Sequence, residues 1–135
     1  MATPEQLRIL DTTAISALMR GDRAAVDTLE ALGRSSVLVP QPVVAEVEYG
    51  LARLRRSKRR DRLRARFDLL LGELLRCEWT DEVSRAFGRI KASLEARGTP
   101  LEDFDIAIAA HALANKAVLV SANLRHMARV EGLDV

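Results

Sequence analysis

The strongest constraint on this chain is the rhythm of its apolar residues. Short apolar runs alternate with longer stretches in which apolar positions recur every third or fourth residue. Residues 7–10 read as a buried strand ending at Asp11, and Thr12 or Thr13 is placed to cap a short helix that runs through Leu18 and stops at Gly21. Asp22 is placed to cap a second helix, with Val26 and Leu29 facing inward and Gly33 as its stop. Residues 36–39 form a second strand, and Pro42 suits the first position of the helix after it, where a missing N–H costs nothing. Val43, Val47, Leu51 and Leu54 mark one helix, and Leu63, Phe67, Leu70 and Leu74 mark the next. Residues 77–79 are a short strand. Val83, Phe87, Ile90 and Leu94 then define a helix closed near Gly98. An alanine-rich helix over 105–115, a strand over 117–120 and a short edge strand over 133–135 complete the pattern. Strands alternating with helices predict an α/β fold of three layers, with a central, mostly parallel sheet of four or five short strands flanked by helices. In such sheets ligands gather at the carboxyl ends of the strands.

With 135 residues, the chain is predicted to form a single domain, residues 1–135, around one core. Aromatic residues make up only 4%, too few for a base-stacking platform. Cys77 is the only cysteine, which excludes an internal disulfide and a thiolate metal cage. Residues 1–10 include Glu5 and lack the apolar run of a secretory signal. The apolar stretch 106–110 falls far short of the roughly 20 residues that cross a bilayer. The expected setting is the reducing cytoplasm, with no membrane association. The net charge of +2 does not by itself demand a nucleic-acid partner, so that case rests on where the charges sit.

Three carboxylates fall where the topology would bring them together. Asp11 follows the first strand directly, Glu46 lies in the apolar context Val43-Val44-Ala45-Glu46-Val47, and Asp105 opens the alanine-rich helix. Each has an ordinary alternative: a helix cap for Asp11, and a first-turn acid favoured by the helix dipole for Glu46 and Asp105. Brought to one sheet edge, the three would repel one another and raise their pKa values. A hard divalent cation, Mg²⁺ or Mn²⁺, removes that cost. Zinc is disfavoured, because the one cysteine and two histidines lack ligand spacing. Ser121 and Asn123, after the 117–120 strand, are placed at the same edge.

The remaining residues divide less clearly. His111 lies about 240° round the helix from Asp105 and is expected to be structural. His126 is read as a surface residue, with RNA contact as the alternative. Cys77 and Trp79 are read as core or interface. A Gly-rich phosphate loop and a serine nucleophile elbow are both lacking. Between residues 53 and 66, nine arginines and lysines surround a single acid, Asp61. The stretch is either a solvated helix pair, a phosphate-tracking surface or a dock for an acidic partner.

The motifs themselves resemble those of the PIN-domain superfamily, most closely its VapC-type toxin branch, over nearly the whole chain. Ile9-Leu10-Asp11-Thr12-Thr13 resembles the family's opening strand and aspartate. Ala45-Glu46-Val47-Glu48-Tyr49-Gly50 resembles its Ala-Glu-Leu-x-x-Gly motif, and Asp105-Ile106-Ala107-Ile108-Ala109-Ala110 its Asp-x-x-Ile-Ala-Ala helix. Val120-Ser121-Ala122-Asn123 resembles its Val-Thr-x-Asp/Asn segment, and Gly132-Leu133 its closing Gly-Leu. Thr13, Ser121 and Asn123 depart from the usual Asn, Thr and, in many members, acid.

The resemblance implies a Mg²⁺- or Mn²⁺-dependent endoribonuclease, the toxin of a type II toxin–antitoxin system. In this reading Asp11, Glu46 and Asp105 are metal ligands, with Asn123, Ser121 and Thr12 assisting. It also implies an RNA substrate, a homodimer and a VapB-type antitoxin that covers the site. Hydrolysis would leave a 5′-phosphate and a 3′-hydroxyl. Because Asn123 offers only a neutral oxygen, one metal should bind firmly, unless Asp103 supplies the missing charge. The competing reading is a catalytically silent PIN-like module that binds a protein or nucleic-acid partner. A phospho-accepting receiver domain is set aside, because Lys116 precedes its strand instead of following it.

Overall fold

The computed structural model describes residues 6–135. Four strands, β1 (Arg8–Leu10), β2 (Val37–Pro40), β3 (Leu75–Cys77) and β4 (Val118–Val120), form one sheet in the order β3-β2-β1-β4. Every pairing is parallel, with Arg8 opposite both Val37 and Val118, and Val39 opposite Arg76. The sheet is therefore wholly parallel. The strand expected over 133–135 does not form: this segment adds one backbone bond beside β4, Leu119 N–H to Asp134 O at 2.8 Å, and makes no ladder. The third strand lies earlier than the expected 77–79, because Leu75 and Arg76 pair with β2 while Glu78 and Trp79 lead into the next helix.

Among the described residues seven helices connect and cover the strands: α1 (Thr12–Met19), α2 (Arg23–Leu32), α3 (Gln41–Ala52), α4 (Lys58–Glu73), α5 (Asp81–Ala96), α6 (Asp103–Ala114) and α7 (Leu124–Met127). A 3₁₀ turn, Arg34–Ser36, takes the first residue of the expected second strand. Asp11, and not Thr12 or Thr13, caps α1, accepting the Ala14 N–H. Asp22, Ser57 and Thr80 cap α2, α4 and α5 in the same way. Gly21 adopts a φ of 74°, which permits the tight reversal between α1 and α2. Pro42 falls at the second helical position of α3, one later than expected, since Gln41 is already helical.

The main core is built on Ile9, Val37, Val39 and Leu119 of the sheet, with Ile15, Val43 and Phe67 packed over it. A second cluster joins Val83, Ile90 and Leu94 of α5 to Ile106, Ala109 and Ala110 of α6 and to Val130. Helix α6 is buried on both flanks, its Ile108 and Ala112 facing the main core. The small side chains along α6 permit this close approach on two sides. Among the described residues no helix is long and apolar enough to cross a membrane.

Candidate functional site

Parallel pairing points the carboxyl ends of β1, β2 and β4 to one edge, so the residues after them meet there. The Asp11 N–H extends the β1–β4 ladder by donating to Val120 O at 3.1 Å. Its side chain is buried, and both oxygens accept hydrogen bonds while Oδ2 keeps a lone pair free. Oδ1 accepts from the Thr13 hydroxyl at 2.6 Å and the Ala14 N–H at 2.9 Å, and Oδ2 accepts from the Ser121 hydroxyl. Thr13 Oγ1 in turn accepts the Ala122 N–H at 2.9 Å, tying α1 to the turn after β4.

Glu46 reaches the same edge from the second turn of α3, where Thr12 Oγ1 donates to its Oε1 at 2.6 Å. Burial raises its pKa above the ordinary value, the Thr12 hydrogen bond pulls it back, and the charges of Asp105, Asp11 and Glu102 raise it further. Asp105 sits in the first turn of α6 with its side chain 25% exposed. Burial raises its pKa too, His126 opposes the rise, and Glu102 and Asp11 add to it. Asp11, Glu46 and Asp105 thus share one electrostatic neighbourhood.

Asn123 and Ser121 lie at the rim. The Ser121 hydroxyl accepts the Asn123 N–H at 2.8 Å, and the Asn123 amide meets His126 Nδ1 at 2.9 Å. That same Nδ1 is 3.9 Å from Asp105 Oδ2. His126 is a surface residue as expected, its side chain 44% exposed, and its ring also stands beside Asp105 and Asn123 at the acidic cluster. Asp103 is not drawn in. It is the first residue of α6, and its carboxylate meets Lys91 Nζ at 3.0 Å on the outer side. The charge of Glu102, one residue earlier, acts on both Glu46 and Asp105.

Three contributors were missed in the sequence. Glu102 stands three residues before Asp105 and His126 three after Asn123, a helical spacing that could have flagged both. Thr13 was read as a possible cap and as a departure from the usual Asn of the motif, although a hydroxyl two residues past a strand-end acid lies within its reach. His111, by contrast, is wholly buried, with Nδ1 2.7 Å from Ala107 O and its ring edge-on to Trp79 at 5.4 Å. Burial lowers its pKa, so it is neutral and structural.

Among the described residues no three His, Cys, Asp or Glu side chains close into a ready-made cage. The donor chemistry nevertheless fits a hard cation: the ligands are all oxygen, and Asp11 raises the proton affinity of both Glu46 and Asp105.

The PIN domain family matches residues 8–133. This chain belongs to the PIN-domain family. Ribonuclease VapC2 of Haemophilus influenzae is 31% identical over 127 residues, spanning 93% of this chain and 92% of that protein. Ribonuclease VapC2 of Rickettsia felis is 26% identical over the same length and coverage. Among solved structures, DNA-bound VapBC from Salmonella typhimurium aligns with a TM-score of 0.84 at 25% identity, covering 96% of each chain. VapBC2 from Rickettsia felis, bound to a promoter DNA fragment, shares the fold with a TM-score of 0.85 at 23% identity and 96% coverage of each chain. In this PIN domain the acids after β1, in α3 and at the head of α6 form the carboxyl-edge cluster.

Proposed function

We propose that the chain is a metal-dependent endoribonuclease and the toxin of a type II toxin–antitoxin pair. The observation that carries this reading is the convergence of Asp11, Glu46 and Asp105 at one sheet edge, where Glu46 and Asp105 are pushed toward higher pKa by burial and by neighbouring acids, Asp11 among them. Its relatives bear the name ribonuclease VapC2, and its structural neighbours are VapBC complexes. The likeness to those complexes extends the proposal to a VapB-type antitoxin, a homodimer and a cytoplasmic setting, with the whole chain as one PIN domain.

Asp11, Glu46 and Asp105 would hold Mg²⁺ or Mn²⁺, which when bound offsets phosphate charge and acidifies a water. The chain's own part is placement. Thr12 orients Glu46; Thr13, Ser121 and the Ala14 N–H fix both oxygens of Asp11, so that its carboxylate has one direction. Ser121 and Asn123 line the side from which a phosphate would approach. Water attacks phosphorus in line and the bond to O3′ breaks; the water's oxygen stays on a 5′-phosphate, and the departing O3′ takes a proton. No side chain serves as nucleophile.

The test is cleavage of cellular RNA by the purified chain with Mn²⁺, with Mg²⁺ and with excess EDTA, followed by sequencing of the ends. Cleavage with either metal, none with EDTA and uniform 5′-phosphate ends are expected. Full cleavage in EDTA would overturn the metal assignment, and no cleavage under any condition would leave the silent binding module as the better account.

A further inference from the structure

The arginine-rich stretch between α3 and α4 sorts, in the structure, into tied and untied cations. Arg64 binds Glu48 with both nitrogens, at 2.8 and 2.6 Å, and lies 3.5 Å from Asp68, clamping α4 to α3. Arg66 donates to Met19 O at 2.9 Å, fixing α4 against the end of α1. Among the described residues Arg55, Arg56, Arg59 and Arg62 have no ion-pair partner, and all four are exposed. Lys58, Arg59 and Arg60 also occupy the first turn of α4, the end where the helix dipole disfavours cations. Only Asp61 offsets them there. Folding alone gives no reason for this arrangement.

Position supplies one. A groove of about 240 Å³ runs from Thr12 and Glu46 past Arg20 and Leu54 to Arg59. Arg59, one of the untied arginines, therefore lines the same groove as Glu46. Residues 53–66 hold nine cations and one acid, a balance of +8 in a chain whose total is +2, so the remainder is net acidic. A polyanion approaching three carboxylates is repelled unless cations flank its path. Arginine also predominates over lysine here, and its planar fork suits phosphate oxygens.

We infer that the untied arginines of the α3–α4 connection and of the first turns of α4 form a docking surface for the phosphate backbone of the RNA strand leading into the groove at Glu46. The inference rests on the RNA reading above, and charge complementarity continuous with the site favours RNA over an acidic protein as the occupant. Contact is with phosphates and independent of base sequence, so the surface sets affinity and strand path, not the cut position.

The experiment measures binding of a fluorescent uridine oligomer in EDTA across a salt series, for the parent and for Arg55→Gln/Arg56→Gln/Arg62→Gln. Each phosphate contact on a single strand contributes a slope of about 0.7 in the log–log plot, so the triple variant should lose about 2. A control triple of equal charge, Arg23→Gln/Arg85→Gln/Arg89→Gln, should keep the parent slope. An unchanged slope in the first variant overturns the inference, as does an equal loss in both, which would mean long-range charge without contact. Weakened binding of a polyglutamate peptide with RNA binding intact would also overturn it, in favour of an acidic protein partner. Because binding is read without cleavage, a failure here is separate from a failure of the nuclease reading.

Discussion

The sheet side and the α5–α6 side of the molecule are held together differently, and the acidic site is assembled across both. On the sheet side, four strands and α1 to α4 bury large aliphatic side chains around Phe67. On the other, α5 packs chiefly on α6, through Val83, Ile90 and Leu94. Asp11 belongs to the first region and is fixed by hydrogen bonds from three partners. Asp105 belongs to α6 and takes its place from packing on both flanks of that helix. One site is therefore positioned by two mechanisms, and each should fail in its own way.

The largest expected effect is on the cores. Phe67→Ala should cost about 3–5 kcal/mol and Leu94→Ala about 2–5 kcal/mol. Native-state hydrogen exchange should separate them. Phe67→Ala is expected to lower protection throughout, β1 included, whereas Leu94→Ala should expose α5 while β1 and β2 keep their parent protection. Equal loss everywhere would show one cooperative unit and end the comparison.

Next come the acids. Loss of an outer-shell partner typically lowers metal-dependent activity about 10–100-fold, so Asp11→Ala and Asp105→Ala should each lower RNA cleavage by more than about 100-fold. Their stabilities should diverge. Asp11→Ala strips a cap and leaves the Ala14 N–H and Ser121 hydroxyl without their acceptor, costing about 1–2 kcal/mol. Asp105→Ala removes a half-buried, repelled charge and should leave the EDTA-treated protein as stable as the parent or more so. Denaturant midpoints that shift alike in both variants would contradict the split between hydrogen bonding and packing.

A smaller effect lies in pH. Glu46 and Glu48, two residues apart on α3, are shifted in opposite directions from the ordinary 4.5. Burial raises Glu46, so its stabilising share is complete below that value and is lost as pH rises through its folded pKa. The Arg64 hydrogen bond lowers Glu48, whose share is present above 4.5 and lost as pH falls through its folded pKa. Urea titrations in EDTA from about pH 4 to about pH 8 should show Glu46→Gln gaining on the parent toward the alkaline end, and Glu48→Gln gaining toward the acid end. Parallel curves would remove the electrostatic account. The smallest effect is assigned to Asp103→Ala, which should cleave RNA at the parent rate, since that carboxylate faces Lys91. A loss like that of Asp105→Ala would return Asp103 to the site.

Much of this was legible in the sequence because the signals were local. Strand ends, caps and the four-three spacing on α3 and α4 are read from neighbours a turn apart, and they placed Asp11 after β1, Glu46 within α3 and Asp105 near the start of α6. The side of α6 that Asp103 takes depends on Lys91, from another helix, and no local pattern carries that. The same holds for His126, whose role comes from Asp105 across the site. The edge strand at 133–135 was expected from its apolar residues, but only the Leu119–Asp134 bond forms there, and a ladder needs more than one such bond.

The strand order has a further consequence for synthesis. Asp11 emerges from the ribosome early, yet Ser121, which holds one of its oxygens, follows 110 positions later. β1 gains its second neighbour only when β4 has been made, and contacts so distant in sequence form late. A nascent chain can fold α1 to α4 and still lack Asp105, Ser121 and half of the bed beneath Asp11. The acidic cluster is therefore assembled only once Asp105 and Ser121 have both been made, long after the strand that carries Asp11.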